Sequence, residues 1–415
     1  MSDKWGAHRA QPVAVGPPRK GMSRAERLRQ ARINRRRRMA RAASLGLLIV
    51  VAVAAVFLGS KLWHSFSGGN GNDYAGDGVS DLVIQVHDGD STTAIAKTLH
   101  DHKVVATVKA FVDAAQGNSA MSEIQPGYYK VRTEIPAANA VARLVDPSNR
   151  VGKLTIPEGR QLDDIADVKT NAVTDGIFSL ISKASCVNLD GAQRCVSVDD
   201  LRTAAGSAPL AALSIPQWAA GPVGAMGADH RRIEGLIAPG TWNIDPAAPA
   251  QSILSTLITS SATVYTQGGL LDTAAAMNMS PYQILTVGSL VQREAKPQDF
   301  SKVARVIYNR LAEHRKLEFD STVNYSLDRQ EVATTDADRA KPTPWNSYVR
   351  EGLPQTPICS PGAEALDAAE HPAPGDWLYF VTIDMQGTTL FTRDYNQHLA
   401  NIELARHNGV LDSAR

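Results

Sequence analysis

The sequence lacks the short motifs that mark several common classes of hydrolase. None of the ten His residues is followed by Glu, which excludes the helix motif of the zinc proteases. No Ser lies three positions before a Lys, and no Gly-x-Ser-x-Gly occurs, so the penicillin-binding and nucleophile-elbow signatures are absent as well. We therefore interpret His371 and His398 as structural and expect neither a metal nor an organic cofactor.

Charge is also absent from one long stretch of the chain. Residues 42–60 carry no charged side chain, and at ~1.5 Å per helical residue they nearly span a ~30 Å hydrocarbon core. Residues 1–41 contain 13 Lys or Arg against two acids, and no small-x-small cleavage site follows the apolar run. We expect a basic cytoplasmic tail over residues 1–41, a single N-terminal transmembrane helix over residues 42–62 and the rest of the chain outside the cell membrane. Binding of nucleic acid by the tail is the alternative.

The exported part has no excess of basic residues. Outside the tail the chain keeps 30 of its 43 Lys and Arg residues and 40 of its 42 Asp and Glu residues. A basic surface for a polyanion such as a nucleic acid is therefore not expected there. Residues 63–80 are rich in Gly, Asn, Asp and Ser, which predicts a flexible linker. The remainder is long enough for about two domains.

Cysteine is scarce, with 3 residues in the chain. Cys186 and Cys195 flank an Asp190-Gly191 pair that is typical of a tight turn, so an oxidising compartment favours a disulfide between them. Cys359 lies in a proline-rich loop without a neighbouring base. We predict that Cys359 is a buried small residue and not a nucleophile.

Residues 81–150 predict a small α+β module. A strand over residues 82–86 is followed by a helix capped by Ser91, a second helix near Thr107, and a turn and strand over residues 125–131. This module is either a glycan-binding unit similar to a LysM domain or a scaffold that positions the larger domain.

Part of this pattern recurs about 70 residues later in the chain. Residues 152–166 repeat the strand, the acid-Gly turn and the Ile-Ala pair of residues 83–96. The repetition predicts a second strand, turn and helix, in which Ile165 and Ala166 lie on the helix.

Glu294 is an acid in an apolar setting. Ser280, Pro281 and Gln283 have the spacing of an N-cap, a first-turn proline and a capping box, which predicts a helix that runs to about residue 295. Val287, Leu290 and Val291 then share a face with Glu294. Removal of the carboxyl group from water would raise its pKa and make it a general acid. The alternative is a structural acid paired with Arg293 or with a basic residue of the next helix.

The segments after Glu294 predict further elements of a mixed α+β domain over residues 151–408. A helix over residues 301–314 buries an apolar row, and Asn309 and Arg310 lie off that row, where they could reach a ligand or the carboxyl group of Glu294. Residues 377–392 predict a β-hairpin, and a terminal helix starts at Tyr395.

The runs SLVQREA, VIYNRL, LEFDSTVNY, WNSY and PICSPG occur in an order that resembles the YceG-like endolytic murein transglycosylases. The resemblance extends over about residues 80–405 and implies a membrane helix, a LysM-like subdomain at 81–150 and a YceG-like catalytic domain at 151–408. The catalytic Glu of that family falls on Glu294, and Gln292 occupies the earlier acid position. Ser321 stands where the family usually has Pro.

The resemblance implies a lytic transglycosylase that cuts the MurNAc–GlcNAc bonds of nascent peptidoglycan strands, next to the membrane and to peptidoglycan synthases. The residues that it implies as supports or substrate contacts are Asn309, Arg310, Asp320, Thr322, Asn346 and Tyr348. Two alternatives stay open, a muramidase-type hydrolase that uses Glu294 with Asp320 and a non-catalytic scaffold that binds glycan. Tyr325, Trp345 and Tyr348 either stack on sugar rings or belong to the core.

Overall fold

The structure is a computed structural model that describes residues 73–327, 329–330 and 334–410. The predicted tail, the predicted transmembrane helix and residues 63–72 of the predicted linker lie outside this part of the chain. Within the described residues, no helix is both long and apolar enough to cross a membrane.

The N-terminal module is a three-stranded antiparallel sheet covered by three helices. Its elements are β1 (Asp81–Val86), α1 (Thr92–Asp101), α2 (Val108–Ala115), β2 (Gly127–Arg132), α3 (Ala137–Val145) and β3 (Arg150–Val151), and β2 is the central strand. Ser91 caps α1 through its side-chain oxygen, as the sequence predicts, and α2 begins at the predicted place, where Thr107 caps it in the same way. A separate apolar core that includes Leu99, Phe111 and Val131 holds this module together.

Residues 73–80 belong to this module, although the sequence assigns them to the linker. The N–H of Val79 donates to the carbonyl of Thr133 at 3.0 Å, and the N–H of Ala137 donates to the Asp73 carboxylate at 3.1 Å. A side chain at Gly78 would meet Ile135 at 2.6 Å, so the chain approaches the module closely there. This end of the predicted linker is therefore packed and not flexible.

The rest of the chain forms a mixed α+β domain in which helices dominate and the strands pair in small sheets. Its helices are α4 (Ile177–Ala184), α5 (Val198–Ser207), α6 (Gln217–Ala225), α7 (Ala250–Gln267), α8 (Leu270–Ala276), α9 (Pro281–Glu294), α10 (Phe300–Ala312), α11 (Asp320–Asn324), α12 (Asp336–Arg339), α13 (Ala363–Glu370) and α14 (Tyr395–His407). Its strands are β4 (Lys153–Ile156), β5 (Ile165–Asp167), β6 (Val173–Thr174), β7 (Val187–Leu189), β8 (Ala192–Arg194), β9 (Gly240–Asn243), β10 (Arg329–Gln330), β11 (Tyr379–Thr382) and β12 (Thr389–Thr392). The pairs are β4 with β9, β7 with β8, and β11 with β12, and β5 lies between β6 and β10.

Helix α9 is the central element of the larger domain. Its predicted start is confirmed, because Ser280 and Gln283 form both hydrogen bonds of a capping box and Pro281 occupies the first turn. Residues 284–291 are buried without interruption, so this segment is enclosed on all sides. A side chain at Gly288 would lie 3.4 Å from the backbone of Leu366, which shows how closely α13 packs on α9.

The predicted second copy of the strand, turn and helix is wrong in its last part. Ile165 and Ala166 lie on strand β5 and pair with β6, so they are not helical. The reason is local, because the helix of the first copy is capped by Ser91, whereas Gln161 occupies the equivalent position two residues after the turn glycine. Gln161 cannot cap as a short hydroxyl side chain does, and its amide instead donates to the carbonyl of Ile358 at 3.1 Å.

The predicted disulfide between Cys186 and Cys195 is confirmed, and it closes the β7–β8 hairpin. Asp190 and Gly191 both have positive φ angles, as a tight two-residue turn requires. The N–H of Asp81 donates to the Asp190 carboxylate at 2.9 Å, and the N–H of Asp190 donates to the Asp81 carboxylate at 3.1 Å. The hairpin therefore attaches the N-terminal module to the larger domain. Cys359 is fully buried, as predicted.

Replacement of both Cys186 and Cys195 by Ser should lower the free energy of unfolding by roughly 2–3 kcal/mol, because a short closed loop is freed in the unfolded chain. Denaturant unfolding of the oxidised protein measures the difference, with Arg194→Ala, an exposed change in the same hairpin, as the control. A double variant as stable as the wild type would contradict a structural role for this disulfide.

Candidate active site

The predicted catalytic acid, Glu294, is the last residue of α9. It lines a cavity of about 170 Å³ whose opposite wall is the β11–β12 hairpin, which contributes Phe380, Thr382 and Thr389. Arg293 and Lys296 place two positive charges on the rim of the same cavity. The hairpin that the sequence predicts at the end of the domain is thus part of the site.

The carboxyl group of Glu294 is held in surroundings that favour its protonated form. The side chain keeps some surface open to the cavity, yet the protein atoms around it remove most of its hydration, and this burial raises its pKa to about 7. The negative charge of Asp320 raises the pKa further, and Arg293 lowers it. Because Glu294 ends a helix, the negative pole of α9 also opposes ionisation.

The alternative in which Glu294 is a paired structural acid is not supported. Among the side chains that the structure describes, none forms an ion pair with Glu294. Gln292, in the earlier acid position, has a packing role, since its amide oxygen accepts the N–H of Gly362 at 2.8 Å before α13. Glu294 therefore lines the cavity without an ion-pair partner among the described residues.

Ser321, on the short helix α11, is the polar residue next to Glu294. Its hydroxyl and its backbone N–H both act to lower the pKa of the Glu294 carboxyl group. The hydroxyl oxygen is buried and makes no hydrogen bond of normal geometry with the described residues. The hydroxyl group therefore acts on the carboxyl group of Glu294 as a nearby dipole.

Asp320 precedes Ser321 and is engaged by three donors. Its carboxylate accepts hydrogen bonds from Thr334 at 2.7 Å, from Tyr348 at 2.7 Å and from Arg339 at 3.0 Å. Although partial burial acts to raise its pKa, the hydrogen bonds from Arg339, Tyr348 and Thr334 outweigh it, so the pKa lies below its ordinary value. Asp320 is therefore an anion near Glu294, with an electrostatic effect on it.

Thr322 and Asn346 are structural supports of α11 and of the loop behind it. Thr322 is buried, its hydroxyl donates to the carbonyl of Phe319 at 2.6 Å, and it lies 2.8 Å from the hydroxyl of Ser347. Asn346 is buried as well and donates to the carbonyls of Lys341 at 2.7 Å and Arg339 at 3.0 Å. A direct contact of either side chain with substrate is not indicated.

Asn309 and Arg310, on α10, also bind backbone and not the carboxyl group of Glu294. The amide of Asn309 donates to the carbonyl of Trp377 at 2.9 Å. Arg310 donates to the carbonyls of Leu378 at 2.7 Å and Leu317 at 2.5 Å. The prediction that they reach the carboxyl group is wrong, because backbone carbonyls before strand β11, and for Arg310 also that of Leu317, accept their hydrogen bonds.

Two of the three aromatic residues near the site, Trp345 and Tyr325, belong to the core. Trp345 is buried, donates to the hydroxyl of Thr356 at 2.8 Å and is covered by Arg231 at 4.1 Å from its ring centroid. Tyr325 is 8% exposed and packs edge-on against Trp345. Tyr348 is only partly buried, and its hydroxyl donates to Asp320 at 2.7 Å. The core alternative therefore holds for Trp345 and Tyr325, and sugar stacking by Tyr348 stays a prediction.

Sequence reasoning missed Glu234, which precedes β9 and is only 1% exposed. Its Oε2 accepts the N–H of Leu162 at 3.1 Å and the hydroxyl of Tyr325 at 2.8 Å, and burial raises its pKa to about 8. An acid before Gly235 is an ordinary turn signal, and the contacts that bury it come from 72 and 91 residues away. Its role could not be found from local pattern.

Within the described residues, no group of three or more His, Cys, Asp or Glu side chains is placed to hold a metal ion.

Glu234→Gln should weaken the dependence of stability on pH. In the unfolded chain Glu234 ionises near 4.5 and in the folded chain near 8, so the wild type loses stability as pH rises from about 4.5 to about 8. The amide does not titrate and removes that part of the loss. Denaturant unfolding at a series of pH values measures it, with Glu364→Gln on the surface as the control. Parallel curves for the wild type and Glu234→Gln would refute the raised pKa.

The sequence of the chain is similar to those of known proteins. The chain is 26% identical over 329 residues to the endolytic murein transglycosylase of Bacillus subtilis strain 168, with 78% of this chain and 84% of the relative covered. It is 24% identical to the endolytic murein transglycosylase of Streptococcus pneumoniae strain D39, covering 77% of this chain and 58% of that longer protein.

A crystal structure of a YceG-like protein from Listeria monocytogenes is similar, with 24% identity, a TM-score of 0.46, and coverage of 77% of this chain and 98% of that one. The model of the YceG-like family matches residues 84–404. This match extends over most of the 415 residues, and the chain therefore belongs to the YceG-like family.

Proposed function

We propose that the protein is a membrane-anchored endolytic lytic transglycosylase that cuts the MurNAc–GlcNAc bonds of nascent peptidoglycan strands and so ends their elongation. The observation that carries the proposal is the carboxyl group of Glu294, an acid with a pKa of about 7 at an open cavity. The names of the curated relatives from Bacillus subtilis and Streptococcus pneumoniae support the same reaction and substrate.

One carboxyl group is sufficient for this reaction. Protonated Glu294 gives its proton to the glycosidic oxygen as the bond from that oxygen to C1 of MurNAc breaks. The resulting carboxylate then takes the proton from the 6-hydroxyl of the same sugar as O6 attacks C1. The products are a GlcNAc with a free 4-hydroxyl and a 1,6-anhydroMurNAc end, and Glu294 is protonated again. No water is consumed.

The competing hydrolase mechanism needs a second carboxylate that activates water or attacks the sugar. Asp320 is the candidate that the sequence analysis names, but its carboxylate is already bound by Thr334, Tyr348 and Arg339. An anion held by three donors is a weak base and a weak nucleophile. In our proposal Asp320 raises the pKa of Glu294 and does not contact the reacting atoms.

The proposed location is the outer side of the cell membrane. Residues 42–62 would be the membrane helix and residues 1–41 the cytoplasmic tail, as their charge pattern indicates. This anchor would keep the Glu294 cavity close to strands as they leave peptidoglycan synthases, which are the proposed protein partners. Proteolysis from the outer face of intact cells that spared residues 73–410 would contradict this topology.

Glu294→Gln should lower the rate of glycan cleavage by roughly 10²–10⁴-fold, because the amide cannot transfer the proton. The full-length protein is incubated with uncrosslinked glycan, and products are identified by mass spectrometry, with Glu364→Gln as the matched control on the surface. Anhydro ends are expected from the wild type and the control. Intact glycan with all three proteins would favour the non-catalytic scaffold.

Asp320→Asn separates the two enzymatic mechanisms. For the transglycosylase we expect activity to persist and its alkaline limit to move to lower pH, because loss of a neighbouring negative charge lowers the pKa of Glu294. A second catalytic carboxylate would instead make this variant as inactive as Glu294→Gln, with reducing ends among the wild-type products. Those two results together would establish the hydrolase.

Ser321→Ala should move the alkaline limit of activity to higher pH, opposite to the shift expected for Asp320→Asn. The general acid must be protonated, so kcat/KM of the wild type should fall as pH rises through about 7. Ser321 lowers the pKa of Glu294, and removal of its hydroxyl therefore raises it. The pH profile of kcat/KM measures the shift, and a limit that moves to lower pH, as with Asp320→Asn, would contradict the assigned contact.

A further inference from the structure

The lining of the Glu294 cavity carries two positive charges that no acid of the described residues pairs with. Arg293 and Lys296 lie on either side of Glu294 in the chain and line the cavity with it. Neither cation forms an ion pair with a carboxylate in the part of the chain that the structure describes. The opposite wall, from the β11–β12 hairpin, contributes apolar groups and hydroxyls. The lining is therefore positively charged whenever Glu294 is protonated.

This positive lining contrasts with the charge of the chain around it. Outside the basic tail the chain keeps 30 of its 43 Lys and Arg residues and 40 of its 42 Asp and Glu residues, so that part is acidic. A cavity lined by charge of one sign attracts ligands of the opposite sign. The charge distribution therefore indicates that the Glu294 cavity receives an anionic group.

The ammonium group of Lys296 is held at the mouth of the cavity. Its Nζ donates to the carbonyl of Gln386, in the turn of the hairpin, at 3.3 Å. A Cβ at Gly387 would lie 2.1 Å from that Nζ, so the glycine leaves the room that the ammonium group occupies. An ammonium group has three N–H donors, and one hydrogen bond leaves donors for a ligand.

The guanidinium group of Arg293 has no hydrogen-bond acceptor among the described residues, although its side chain is half-buried. Two arginines of the next helix, α10, have the usual partners, since Arg305 donates to the carbonyl of Ala373 at 2.6 Å and Arg310 donates to that of Leu378 at 2.7 Å. The dipole of α9 favours a cation in its last turn, but it supplies no acceptor for the five N–H groups. The fork of a guanidinium group matches a carboxylate.

The two sugars of the proposed substrate differ in charge. GlcNAc is uncharged, whereas MurNAc has a lactyl group that ends in a carboxylate or, where the peptide is retained, in a peptide with carboxylates of its own. In the proposed reaction Glu294 protonates the oxygen at C1 of MurNAc. The ring beside the acid is therefore the ring that bears the anionic group.

We propose that Arg293 and Lys296 bind a carboxylate carried by the MurNAc unit and so hold MurNAc, and not GlcNAc, at the acid. The inference rests on the proposed function, because it assumes that glycan occupies the Glu294 cavity. A strand shifted by one sugar would place an uncharged unit against both cations and leave their charges unpaired. Arg293 and Lys296 would thus determine which of the two alternating bonds lies at Glu294.

The test removes the charge from one side of this contact at a time. Bare strands with lactyl carboxylates and strands that keep their peptides are each compared with forms whose carboxylates have been converted to methylamides. The proteins are the full-length wild type, Arg293→Gln, Lys296→Gln and Arg293→Lys in detergent, with Arg194→Gln on the exposed strand β8 as the control. The readouts are kcat and KM for each strand, and a melting temperature confirms that each variant is folded.

We expect the wild type to have a KM about tenfold lower for a charged strand than for its methylamide, because the neutral form loses a charge-assisted hydrogen bond. Arg293→Gln and Lys296→Gln should each lose most of this preference through a higher KM for the charged strand, with the KM for the methylamide unchanged. Arg293→Lys should keep part of the preference and Arg194→Gln all of it.

The two kinds of strand distinguish the two sources of the carboxylate. A preference with bare strands supports binding of the lactyl carboxylate, and a preference with peptide-bearing strands alone supports binding of a peptide carboxylate. Equal KM values for charged and neutral strands of both kinds in the wild type, with cleavage intact, would overturn the binding of a carboxylate. So would a preference that all variants retain, and either result leaves the proposed function standing. Absence of cleavage of every strand by the wild type would overturn the proposed function itself.

Discussion

The removal of water from the carboxyl group of Glu294 is the interaction on which the rest of the site depends. An exposed glutamate is ionised at neutral pH and cannot act as an acid, whereas burial at the end of α9 raises the pKa to about 7. A much higher value would make the group too weak an acid for the first step, and a much lower value would leave too weak a base for the second step, in which the same group must take a proton back. The pKa near neutrality therefore suits one group that works in both directions.

The remainder of the domain can be understood as the support of that position. The close packing of α9 on α13 at Gly288 fixes the helix that carries the acid. The hydroxyls of Thr322 and Ser347, 2.8 Å apart, hold α11, which carries Asp320 and Ser321 beside the carboxyl group. Arg310, through its bonds to the backbone, ties α10 to the start of the hairpin that closes the cavity. These residues position the site and do not touch the reacting atoms.

Local signals made much of this architecture predictable. The capping box before α9, the caps Ser91 and Thr107, the Asp190-Gly191 turn with its disulfide, and the C-terminal hairpin all depend on residues within a few positions of one another. The predictions that were wrong or missing concern contacts between residues that are far apart in the sequence. Asn309 and Arg310 look like ligands on a helix surface, but backbone carbonyls some 68 residues away bind them. Glu234 is buried by partners from two remote segments, and no periodicity in the sequence records that contact.

The central claim is that Glu294 holds a proton near neutral pH in the intact protein. A carboxyl titration by infrared difference spectroscopy, wild type minus Glu294→Gln, measures that proton directly and needs no substrate. We expect the band of the protonated carboxyl group to persist at pH 6 and to disappear with a midpoint near pH 7. A titration midpoint near the ordinary pKa of about 4.5, with the group fully ionised at pH 6, would contradict a proton on Glu294 near neutral pH.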